Sequence, residues 1–266
     1  MRIKPILEGI NEQNIINKLA KRIVQHLFAT RIPALIEFCE KQGITVPSSP
    51  DMFDSEQLKE EYNKLSLSII NNEFIKRVLV NFPEYHYIFT NLHLELIYVP
   101  DGYELSTDAL FYSKLRRITL YVRSDTDIHE YESWLTHELR HALDDYLYNI
   151  TDDKPNKGTI LSKPIDDEQD ESDAYLKSRT EITARMSQAQ NSLTKQITKY
   201  NISELSNRRL ENMVLQALYH YDLVHIFNKP NSQSPDYMNN KYFKKLLNQL
   251  YKYAVHLVDQ LKKETT

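Results

Sequence analysis

The chain has 266 residues, 41% of them hydrophobic and 26% charged, the composition of a folded globular protein that buries a core without covalent staples. Lys and Arg number 33 against 37 Asp and Glu, a formal charge of −4, so the basic surplus of a nucleic-acid coat is missing. The single cysteine, Cys39, excludes an internal disulfide framework and a four-cysteine zinc knot, which leaves His and carboxylates as ligands for any metal.

Taken in chain order, residues 11–41 read as helix. Ile15, Ile16, Leu19, Ile23, Leu27, Leu35 and Phe38 recur at helical spacing, and Pro33 kinks or splits the stretch. Residues 43–54, with Gly43, Pro47 and Pro50, read as a loop. Ser55 is a predicted N-cap for a second helix reaching Val80. The period then changes. Leu92, Leu94, Leu96 and Tyr98 alternate with His93, Glu95, Ile97 and Val99, the pattern of a strand, and Asp101-Gly102 reads as a turn. Residues 117–123 read as a second strand. Asp127 and Glu130 then resemble a capping box opening a helix that runs to about Tyr148.

Residues 151–173 carry eight acids and read as a solvated connecting segment. Helical patterns at about 179–199, 203–227 and 236–263 complete the chain. The expected fold class is α+β, predominantly helical with a small mixed sheet. The most apolar stretch, 23–38, carries Gln25, His26, Arg31, Pro33 and Glu37, so no membrane span is expected. The N-terminus starts basic at Arg2 and Lys4 but lacks an apolar run and a small-residue cleavage site. It does not read as a secretory signal, and a cytoplasmic location is expected.

One motif carries chemistry: His137-Glu138-Leu139-Arg140-His141. Two histidines four apart on a helix stand on one face, one turn apart, where both imidazoles can bind one ion. Glu138 lies about 100° round from His137, within reach of a water on that ion without being a ligand. This is the H-E-x-x-H arrangement of zinc metallopeptidases. Leu135, Leu139, Ala142, Leu143 and Tyr146 supply an apolar stripe expected to bury the helix. Two packed or solvated histidines are the bland alternative, but packing gives no reason for an acid beside the pair.

Zinc needs a third protein ligand and an open position. Asp144 and Asp145, just past His141, read as supports for a ligand imidazole rather than as ligands. Glu181, in Ser178-Arg-Thr-Glu181-Ile-Thr-Ala-Arg185, has two readings: a metal ligand, or the acid of a capping box with Ser178. Arg185 reads as a partner for Asp144 or Asp145, or as a clamp for a substrate carboxylate. Tyr175 is a candidate oxyanion stabiliser, with packing as the alternative. His220 and His225, five apart, are weaker candidates, and His129 reads as a cap or a solvated side chain.

Over roughly residues 90–190 the sequence resembles the glutamate-zincins. The resemblance is specific in His137-Glu138-x-x-His141 and weaker around Glu181. It implies zinc held by His137, His141 and Glu181, with Glu138 as general base in peptide-bond hydrolysis. Thermolysin-like members carry an aspartate four residues past the ligand glutamate, whereas this chain has Arg185. It looks more like short zincin-like proteins of tailed bacteriophages, which pair a Thr-His-Glu-Leu-x-His-Ala-Leu-Asp type helix with a Glu-x-x-Ala-Arg helix.

The implied organisation is a helical region over 1–88, a zincin-like core over 89–200 and a C-terminal helical region over 201–266. The implied partners are a protein or peptide substrate and a virion or host protein, with neither nucleic acid nor membrane. Virion association joins the cytoplasm as an expected location. Strand 117–123, directly before the motif helix, is expected to offer its edge to an extended peptide. The alternative function is a catalytically silent zincin-fold structural or assembly protein, such as a phage virion component. The intact Glu138 favours catalysis, because a structural metal does not require that acid.

Overall fold

The computed structural model describes residues 4–69, 72–90, 92–105, 107–148, 179–200, 202, 205–221, 223–224 and 240–264. They fall into two compact units, one of residues 14–151 and one of residues 1–13 with 152–266. Helix α1 spans Lys4–Thr30.

In the 14–151 unit, α2 (Ile32–Lys41) follows α1 after the single residue Arg31. Pro33 lies in the first turn of α2, where its missing N–H has no intrahelical partner to lose. Ser55 caps α3 (Glu56–Ser66) by accepting from the Leu58 N–H at 3.2 Å. The expected helix to Val80 is interrupted at this point. Leu67–Ile69 form strand β1, and α4 (Asn72–Val78) begins after it. The run Leu65-Ser-Leu-Ser-Ile69 alternates with a period of two, and pairing with a neighbouring strand overrides the flanking helical pattern. A short α5 (His86–Phe89) leads into β2 (His93–Tyr98).

Strand β3 (Ala109–Tyr112) was not marked by the sequence pattern, being only four residues long, and it precedes β4 (Arg117–Val122). The sheet order is β1-β2-β4-β3. β2 and β4 are parallel, with Leu94 opposite Ile118, Leu96 opposite Leu120 and Tyr98 opposite Val122. The β1–β2 and β3–β4 pairs are antiparallel. β4 is therefore internal, which corrects the expectation that its edge is open. The edge on that side belongs to β3.

The face bearing Leu94, Leu96, Ile118, Leu120 and Val122 is buried in one core with Tyr131, Leu135, Leu139 and Leu143 of α6 (Ile128–Tyr148). On the other face Thr119 donates to Glu95 at 2.9 Å, joining β4 to β2. Asp127 caps α6, its side chain accepting from the His129 N–H at 2.6 Å.

The second unit contains α7 (Arg179–Thr198), α8 (Asn207–His220) and α9 (Lys241–Glu264). Ile182, Met186, Ala189, Leu193 and Ile197 make one stripe along α7 and share a core with Leu210, Val214 and Leu218 of α8 and Phe243, Leu250 and Tyr253 of α9. A hydrogen bond of 2.8 Å between Thr194 and Tyr253 joins α7 to α9. The fold is α+β and mostly helical, with a small mixed sheet. Among the described residues no helix is long and apolar enough to cross a membrane.

Candidate metal centre

Helix α6 carries the motif because two periodicities coincide on it. Tyr131, Leu135, Leu139 and Leu143 bury one face completely. Near its start, the Tyr131 hydroxyl accepts from the Arg123 N–H at 2.9 Å, and its ring meets Phe28 and Trp134 edge-on. These contacts fix how the helix leaves β4. Further along, Asp145 accepts from the Ser113 hydroxyl at 3.1 Å, holding the turn after β3 to the same helix.

On this support the two imidazoles converge. The Nε2 atoms of His137 and His141 are 3.0 Å apart, with ring centroids 4.7 Å apart and planes at 74°. Both side chains are half-buried, whereas Glu138 between them is buried. At 3.0 Å the two nitrogens stand at N–H···N hydrogen-bond distance, somewhat closer than the roughly 3.3–3.4 Å kept by two ligands of a tetrahedral zinc with bonds of about 2.0–2.1 Å.

Arg140 donates to Asp144 at 2.6 Å one turn away, both side chains being nearly buried. This contact and the Ser113–Asp145 bond correct the expected partnership of Arg185 with those aspartates. In the helical unit, Arg185 Nε instead donates to Glu181 Oε1 at 2.6 Å, and its Nη1 donates to the Tyr221 carbonyl at 3.2 Å. Glu181 lies in the first turn of α7 and is buried. The i, i+4 spacing of Glu181 and Arg185 was visible in the sequence and is the signal that finds this pair.

His220 is exposed at the end of α8 with its ring against Tyr221, and His129 is exposed beside the buried Glu132. Tyr175, Ser178, His225 and the acidic segment 151–173 lie outside the described residues.

The donors on offer are imidazole nitrogen and carboxylate oxygen, the set that borderline divalent ions such as zinc accept. Comparison with known protein families, characterised proteins and solved structures gives no match for this chain.

Proposed function

We propose that the protein is a zinc-dependent metallopeptidase in which His137, His141 and Glu181 hold the metal and Glu138 is the general base. The observation that carries this reading is the 3.0 Å approach of the two histidine Nε2 atoms beside a buried glutamate. Glu181 is a buried carboxylate in the first turn of α7, the donor type that completes a two-histidine zinc site. Arg185 engages Oε1 of Glu181, which fixes the carboxylate's rotation.

Bound zinc supplies Lewis acidity, polarising a carbonyl and bringing the pKa of water toward about 7. Glu138 takes the proton of the attacking water and passes it to the leaving amine. Among the described residues no strand pairs with the outer side of β3. An extended peptide can add to that edge, which favours peptides over compact small molecules as substrates.

Elemental analysis of the purified protein should give about one zinc per chain. Glu138→Gln should keep that zinc and lower peptide hydrolysis by about 10²–10⁴-fold, the usual contribution of a general base. A proteome-derived peptide library supplies the substrate for the measurement. If Glu138→Gln cleaves as fast as the parent, or if the parent binds zinc and cleaves nothing, the silent structural or assembly role takes the place of catalysis.

A further inference from the structure

A concave site lies in the 14–151 unit, apart from the motif helix. It is a cleft of about 340 Å³ between α2 and the end of β4, with Phe28, Ile32 and Ile36 on one side and Glu37, Glu40 and Arg123 among its polar residues. That volume is at the lower end for small-molecule sites, which sets the ligand size. Glu37 and Glu40 stand one turn apart on α2, both exposed. Arg123 is partly exposed, and its guanidinium makes no hydrogen bond among the described residues. Its Nε is buried without a hydrogen-bond partner, and its Nη2 has only a long ion pair, 3.6 Å, with Asp108.

A guanidinium in this state is short of acceptors, because it carries five donors in a fixed fork. The charges of the cleft select among ligands. A simple anion drawn to Arg123 meets two carboxylates, and a simple cation drawn to Glu37 and Glu40 meets the guanidinium. A molecule with both charges a few bonds apart satisfies both ends, and an apolar body covers Phe28, Ile32 and Ile36. We infer that this cleft binds a free apolar α-amino acid, with its carboxylate on Arg123, its ammonium between Glu37 and Glu40, and its side chain on the apolar wall. Neither the metal nor the motif helix enters this assignment.

Isothermal titration of the full-length protein with L-leucine tests it, beside three probes that each lack one feature: L-leucinamide, 4-methylpentanoate and glycine. Leucine should bind saturably, and each probe should bind at least about tenfold more weakly. Arg123→Met should abolish the preference for leucine over leucinamide. The exposed pair Glu37→Gln and Glu40→Gln should abolish the preference for leucine over 4-methylpentanoate. His137→Ala should bind leucine like the parent, which separates this site from the zinc reading. The inference is overturned if folded protein gives no saturable heat with leucine, if glycine or leucinamide binds equally well, or if the charge variants keep both preferences.

Discussion

Cys39 shows how far a single side chain can depart from its behaviour in water. It is fully buried on α2, and burial pushes its thiol up to about 12, with Glu40 adding to the rise and the Ser48 hydroxyl opposing it. Folding thus favours the protonated form. The associated stability is fully present below the pKa of an unfolded thiol, about 8.5, and is lost as pH rises from there toward about 12. Between pH 8 and 11 the parent should therefore lose more stability than Cys39→Ala, read as the difference in urea midpoints. The Arg140–Asp144 pair makes a larger demand. With side chains only 10% and 5% exposed, neither charge has water to fall back on. Arg140→Leu strands the Asp144 carboxylate and should cost about 3–5 kcal/mol in a urea titration. The approach of His137 to His141 was legible in the sequence because a spacing of four encodes a shared helix face. The partner of Arg185 was encoded in its i, i+4 spacing from Glu181 but was masked by two acids on another helix that also fitted its charge.

At the level of elements, the long helices were legible from apolar spacing and from the caps Ser55 and Asp127, both of which accept backbone N–H groups as expected. The short strands were not. β1 and β3 have three and four residues, too few for a period to show, and they exist because β2 and β4 present ladders to pair with. Sheet order is a property of that pairing, which is why β4 read as an edge and proved internal. The end of β2 is secured by a loop residue acting as a strand. Ser48 donates its N–H to the Tyr98 carbonyl at 2.8 Å and accepts the Tyr98 N–H on its hydroxyl at 2.7 Å. Tyr62 adds a 3.0 Å contact to the same hydroxyl. Ser48→Ala leaves the Tyr98 N–H buried without its acceptor and should cost about 1–3 kcal/mol by thermal or urea unfolding. Substitution of an exposed neighbour such as Thr45 provides the baseline.

For the molecule as a whole, a metal bound only by the folded state is part of its stability. At a free zinc concentration about 100-fold above Kd the ion contributes about 2.7 kcal/mol, so a chelator should lower the melting midpoint by about 5–10 °C. His137→Ala should melt at the same temperature with and without chelator. An unchanged parent midpoint, together with zinc-free elemental analysis, removes the metal centre. The order of the strands carries a further consequence, for how the chain comes to be folded during synthesis. β4 is the last strand to be made, yet it lies between β2 and β3. While a ribosome is still translating the segment after β3, β2 has β1 on one side and only solvent on the other, and the apolar face of Leu94 and Leu96 has no α6 to cover it. Parallel pairing of β2 with β4 is a non-local event that closes the sheet late. Arrested nascent chains exposing residues only as far as Tyr112 should be cut rapidly by protease and held by chaperones, and chains exposing β4 and α6 should resist both.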